Sequence, residues 1–246
     1  PIPGGRVQLM LRIGGPALLV WLAMQGAVAS PPVKITHAAR SLQPGELVSL
    51  TVVTTQPASS MEVRAFDGTF LPYPVDAHTW KVLVGIDLDV KPGRYTVSIT
   101  TPPEKTRATH TLVVAAKSFP TRRLTVDPSF VEPPPEAVER IQRDAKDLEQ
   151  IWKSSAASRL WQETFVRPVP DEANSAFGSR SVFNGQARSP HSGADFMSPS
   201  GRPIAAPSGG RVLLARDLYF TGNTVIIDHG LGLFSMFAHL SKINVK

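Results

Sequence analysis

The 246 residues contain no cysteine, so neither a disulfide framework nor a thiolate metal site can be built. A chain of this length does not need cross-links, because it can bury a large core. Aromatics make up only 7% and charged residues 19%, and neither an arginine-rich helix nor an aromatic–basic ladder argues for nucleic acid as a partner. Internal repeats and low-complexity tracts are missing. Long helical periodicity is also scarce, while 23 prolines and 18 glycines punctuate the chain. That composition favours β-rich folds over a helical bundle.

The first residues read as an export signal. Arg6 and Arg12 give a positive start, Ala17–Met24 is a short apolar run, and Ala27-Val28-Ala29 is a small-x-small cleavage pattern before Ser30. The apolar run is short for a span of roughly 20 residues. The expectation is therefore a signal peptide over 1–29, an exported product in the periplasm or at the cell wall, and no stable membrane span after cleavage. The chain carries +6 overall; without its two leader arginines, 24 basic residues face 20 acidic ones, a net +4. That mild excess suits an anionic wall or membrane surface, and equally an ordinary soluble one.

Residues 33–116 alternate apolar and polar side chains in short runs: Glu46–Val53, Met61–Phe66, Trp80–Ile86, Gly93–Thr100 and Thr109–Ala115. Pro44-Gly45, Asp67-Gly68 and Pro92-Gly93 separate them as turns. The pattern predicts a small β-sandwich, and Lys91–Val97 resembles the turn-and-strand of immunoglobulin-like modules. His37, His78 and His110 lie far apart in sequence and read as surface or packing residues. This module reads as a spacer, a binding surface or a cover for the next domain.

Residues 117–163 read as a linker with one helix. Pro133-Pro134-Pro135 is a stiff helix start, and Val138, Ile141, Ala145, Leu148 and Trp152 recur at helical spacing as one apolar stripe. Glu139–Arg143 and Arg140–Asp144 fall at i,i+4 on the side read as wet. From 164 onward the pattern is β again. Arg211–Ala215, Thr224–Asp228 and Gly232–His239 read as strands, the last two forming a hairpin across His229-Gly230-Leu231-Gly232.

His191 and Asp195 carry the chemistry. A neutral imidazole and a carboxylate are both ligands for Zn²⁺, and in an extended segment positions i and i+4 share a face. His229, in the expected hairpin turn, is declined as a ligand and given a turn or surface role, with Asp228 serving the same turn. Arg180 and Asn223 are candidate substrate-side groups, or simply a surface arginine and a turn asparagine.

The segment from Phe177 to Lys246 resembles the lysostaphin/LytM-type zinc metallopeptidases, which cleave peptide cross-links in bacterial peptidoglycan. The ordered matches are Phe177-Gly178-Ser179-Arg180, His191-x-Gly193-x-Asp195-Phe196, Pro199–Ala206, Gly209-Gly210-Arg211-Val212, Gly222–Gly230 and Phe237-Ala238-His239-Leu240-Ser241. The resemblance implies that His191 and Asp195 hold the first two zinc-ligand positions and that His239 is the catalytic histidine outside the ligand set. It also implies a later H-x-H motif whose second histidine is the third ligand; Leu240–Lys246 contain no histidine. The expectations are a mainly β chain with a sandwich (33–116), a helical linker (117–163) and an incomplete antiparallel metallopeptidase domain (164–246). The missing methionine at the start fits a fragmentary gene product. The expected activity is zinc-assisted hydrolysis of peptidoglycan peptides. The rivals are a non-catalytic relative that binds peptidoglycan or activates a separate hydrolase, and a wall-binding protein led by its sandwich.

Overall fold

A computed structural model describes residues 32–101, 106–127, 132–174 and 177–246; the leader expected over 1–29 lies outside them. The chain is mainly β, as its composition predicts. From Pro32 onward it forms one compact unit.

The first eight strands are β1 (Val33–Ala38), β2 (Leu47–Thr54), β3 (Glu62–Ala65), β4 (Gly68–Phe70), β5 (Tyr73–Pro74), β6 (Thr79–Gly85), β7 (Gly93–Thr101) and β8 (Thr106–Val114). They make two four-stranded antiparallel sheets, ordered β1-β2-β6-β5 and β4-β3-β7-β8. The alternation seen in sequence becomes the pleat. Val48, Leu50 and Val52 of β2, Val82 and Val84 of β6, and Val97 and Ile99 of β7 all turn inward and are buried in one shared core. The hairpin turn between β3 and β4 is Phe66-Asp67, both left-handed, so Gly68 is already in the strand.

His37 and His110, expected to stand apart, meet. They lie on β1 and β8, the outer strands of opposite sheets, with His37 Nδ1 2.8 Å from His110 Nε2. Strand order, not sequence distance, brings the two edges together.

The linker is more than a helix. A 3₁₀ turn over Pro135–Ala137 leads into α1 (Val138–Lys153), as the prolines predict. Its packed side is set one position away from the apolar stripe. Ala137 and Asp144 are buried, and Leu148 and Ile151 pack against Leu214, Leu218 and Ile226, whereas Val138 is exposed. Trp152, also partly exposed, still meets the Phe234 ring edge-on at 5.2 Å. Asp144 is thus not on a wet face. It accepts from the Tyr219 amide at 2.8 Å and from Arg216 at 2.8 Å. Burial alone would raise this carboxyl; the Tyr219 and Arg216 donors outweigh it and hold it below the usual carboxylate range.

A strand also interrupts the linker. β9 (Thr121–Leu124) pairs in parallel with β10 (Arg180–Phe183), which pairs antiparallel with β11 (Gln186–Ala187). A parallel neighbour requires a crossover, and the segment containing α1 supplies it. The C-terminal part is therefore not purely antiparallel. Its second sheet is: β12 (Arg211–Leu218), β13 (Gly222–Gly230) and β14 (Leu233–Phe237) lie in that order, with bulges in both pairings. The turn from β13 to β14 is Gly230-Leu231-Gly232, all three left-handed, so Asp228 and His229 belong to the strand before it.

Candidate metal centre

The hairpin joining β10 to β11 builds the site. Asn184 and Gly185 have φ 49° and 82°, the pair of left-handed residues that a two-residue hairpin turn demands. Asn184-Gly185 within Phe183-Asn184-Gly185-Gln186 is the residue signal for this turn. The ladder continues beyond the regular strands. The Arg188 amide donates to the Ser181 carbonyl at 2.9 Å. Pro190 has no N–H and is skipped. His191 donates to the Ser179 carbonyl at 2.9 Å, and Gly178 donates to the His191 carbonyl at 2.7 Å. His191 is thereby held at the open end of the hairpin.

His191 and Asp195 come together, but not by lying along one strand. Fully extended, positions i and i+4 are roughly 13 Å apart. The chain instead bends at Gly193, and His191 Nε2 stands 3.4 Å from Asp195 Oδ1. The Asn174 amide donates to the Asp195 carbonyl at 2.8 Å, and its side-chain NH₂ lies 3.4 Å from Asp195 Oδ2. An isolated bridge between Ala173 and Phe196 ties down the same segment.

Two donors each ~2.0–2.1 Å from one tetrahedral zinc are separated by about 3.3 Å, so the 3.4 Å spacing of the pair fits shared coordination of one ion. The other imidazole nitrogen, His191 Nδ1, is buried and meets no hydrogen-bond partner among the described residues. A ligating histidine ordinarily donates that N–H to a neighbour that fixes its ring. Here the backbone bonds to Ser179 and Gly178 hold the residue. Among the described residues no group of three or more His, Cys, Asp or Glu side chains is poised to hold a metal.

His229 is no surface residue. It is fully buried, with Nδ1 2.7 Å from the Gly209 carbonyl and Nε2 2.8 Å from Ser235 Oγ. A carbonyl only accepts, so Nδ1 carries the proton and Nε2 accepts from the serine. Both nitrogens are used and neither is left for a metal. The Phe165 ring packs against the imidazole at 4.9 Å. Asp228 is also fully buried. It accepts from the Gly230 amide at 2.8 Å, which is the turn role expected of it. It also accepts from Ser155 Oγ at 2.7 Å and the Ala156 amide at 2.8 Å, and Arg211 stands 3.6 Å away. Burial pushes this carboxyl up, but these donors and Arg211 together hold it below the usual carboxylate range.

His239 has φ 57°, a left-handed conformation uncommon outside glycine. Its amide donates to the Thr221 carbonyl at 2.8 Å, and the next amide, Leu240, donates to the Asn223 carbonyl at 3.1 Å. The Asn223 side chain returns a bond to the Leu240 carbonyl at 3.0 Å. Asn223 therefore braces the loop that carries His239. Arg180 points elsewhere too, pairing with Asp89 of the sandwich at 3.3 Å.

Comparison with known proteins meets this geometry at the same residues. Residues 189–246 match Peptidase family M23. The peptidoglycan DD-endopeptidases ShyA and ShyB of Vibrio cholerae serotype O1 are 42% and 37% identical over 57 residues. A metalloprotease of Buchnera aphidicola subsp. Baizongia pistaciae, otherwise uncharacterized, is 40% identical over 58 residues. These stretches are 23–24% of this chain and only 13–15% of those proteins. A crystal structure from Pseudomonas aeruginosa, named as a candidate peptidase M23, is 28% identical with a TM-score of 0.63, covering 84% of this chain and 77% of that one. The fold thus extends the likeness well beyond the short stretch seen in sequence. By sequence over residues 189–246 and by fold over most of its length, this chain is similar to members of peptidase family M23.

Proposed function

We propose that this chain is part of an exported zinc metallo-endopeptidase that hydrolyses stem peptides or cross-links of peptidoglycan. The observation carrying the proposal is the His191–Asp195 pair, spaced for one ion at 3.4 Å inside the segment that matches the M23 family. The names of the Vibrio cholerae relatives point to peptidoglycan as substrate. His191 and Asp195 would hold the zinc. When bound, the metal would polarise the scissile carbonyl and acidify a water. His239, on its braced loop, would carry the proton to or from the reacting amide. The sandwich over 33–116, in our reading immunoglobulin-like, would serve as platform, and the net positive charge suits the anionic envelope. The leader over 1–29 would direct export; no helix among the described residues is long and apolar enough to cross a membrane.

A catalytic zinc takes three protein ligands and a water. With two donors in the described residues, the 246-residue polypeptide is expected to hold zinc weakly and to release little product. The test is zinc content after dialysis, with fragment release from purified peptidoglycan followed by mass spectrometry. Stoichiometric zinc, with cleavage abolished by His191→Ala, would overturn the expectation of weakness and establish the endopeptidase. No zinc-dependent change at His191 at any concentration would sink the zinc-enzyme reading. It would leave the second reading, a non-catalytic peptidoglycan binder or hydrolase activator.

A further inference from the structure

We infer that the sandwich positions the metal-ligating hairpin, and that Phe177 is the positioning residue through which it does so. This rests on the reading of His191 as a ligand. The contact begins at Gly45, in the turn before β2. Its φ is 85°, and a methyl group placed there would lie 2.4 Å from the Phe177 ring and 3.2 Å from Leu88. Gly45 is therefore a seat whose missing side chain makes room for Phe177. The seat is rigid, because the Gly45 amide donates to Ile86 at 2.7 Å and the Ile86 amide donates to Glu46 at 2.8 Å.

The next residue is gripped in the same way. Gly178 has φ 77°, and a methyl there would lie 2.2 Å from the Phe119 ring. Lys117 stands over both rings, 5.1 Å from Phe119 and 6.0 Å from Phe177, a cation–π arrangement. Lys117 is also 3.6 Å from Glu46, which Arg40 engages at 2.7 Å. Arg180 extends the grip through Asp89, at 3.3 Å. Phe177 and Arg180 are thus seated on the sandwich and Gly178 on Phe119 of the adjoining linker, and residues 178 and 179 make the backbone bonds that fix His191. Because His191 Nδ1 lacks a hydrogen-bond partner among the described residues, backbone placement must do much of what a bonded neighbour does elsewhere. A site held within about 0.5 Å needs such a supporting layer.

The experiment measures two things on the full chain: amide hydrogen exchange at Gly178 and His191 without metal, and the zinc concentration needed to shift the His191 ring signals in NMR. Phe177→Ala should raise exchange at both amides at least tenfold and raise the half-saturating zinc several-fold, while Ile226 and Ile227 in the second sheet keep their protection. Phe177→Leu should restore most of both. Gly45→Ala, a change in the sandwich alone, should reproduce the Phe177→Ala effect at His191. In the Phe177→Ala background, where the ring is gone, it should add little there. Unchanged exchange at His191 in Phe177→Ala and Gly45→Ala overturns the inference, as does loss of protection spread equally over every strand. If exchange responds as expected but wild-type His191 never responds to zinc, the metal reading fails and the mechanical coupling stands.

Discussion

Ser155 Oγ donates to Asp228 Oδ1 at 2.7 Å, joining residues 73 apart and fastening the segment after α1 to the sheet β12-β13-β14. Around it the Leu160 amide donates to the His229 carbonyl at 2.8 Å and the Leu231 amide to Ala156 at 2.7 Å. Gly230 lies so close to Ser158 that a methyl group there would sit 2.0 Å from its carbonyl oxygen. Asp228→Ala would strand the Ala156 and Gly230 amides and the Ser155 hydroxyl in a buried site. Each buried donor left unpaired costs about 1–3 kcal/mol, so the three together predict a loss of about 3 kcal/mol or more, read as a lower urea midpoint.

Acid should undo the same fastening. Asp228, Asp144 and Glu46 all hold their carboxyls below the usual range; for Glu46 the Arg40 hydrogen bonds are the leading cause. A depressed carboxylate stabilises the fold fully above its unfolded pKa, about 4, and loses that contribution as pH falls through the folded value. The melting temperature should not lose this contribution between pH 7 and 5 and should drop below about pH 4. Asp228→Asn should shrink that drop.

The two edge histidines predict a second pH response, nearer neutrality. Burial first, and the His37 ring second, lower the pKa of His110. A histidine depressed in the fold stabilises it above the unfolded value of about 6.5 and ceases to do so as pH falls through the folded one. Their cross-strand partners, Leu50 and Val97, offer no countercharge. Thermal melts should show a modest loss from pH 7 to 5.5 that His110→Leu abolishes.

His229→Phe separates structure from ligation. It removes the bonds to Gly209 and Ser235, and chemical denaturation should show a loss of about 1–3 kcal/mol. Zinc titration of the His191 ring should be unchanged. A weaker zinc response without unfolding would make His229 a ligand after all.

Asn223→Ala should free the loop carrying His239. It removes the bond to the Leu240 carbonyl, worth about 1 kcal/mol, and exchange at His239 and Leu240 should accelerate about fivefold while Val225 stays protected.

The sandwich was largely legible from sequence, since alternation in β2, β3, β6 and β7 maps directly onto buried and exposed faces. The short strands β4, β5, β9 and β11 were not, because two to four residues carry no period. The apolar stripe of α1 marks the helix but not its packed face. An apolar stripe cannot register that Asp144 is satisfied by an amide and a guanidinium from β12 and the turn after it, and so can be buried. His191 and Asp195 stood out by residue type and by resemblance. Their convergence through a bend at Gly193, and the full burial of His229, depend on tertiary contacts that local pattern does not contain.

The parallel pairing of β9 with β10 has a consequence for biosynthesis. Thr121–Leu124 leaves the ribosome well before Arg180–Phe183, its partner, and at roughly 5–20 residues per second the delay is several seconds. During that interval the finished sandwich carries an unpaired, doubly basic strand, whose Arg122 and Arg123 discourage wrong edge-to-edge association. Closure of the hairpin that carries His191 is therefore a late event, and in a polypeptide begun at residue 164 the edge of β10 that faces β9 would stay unpaired while β11 covers the other.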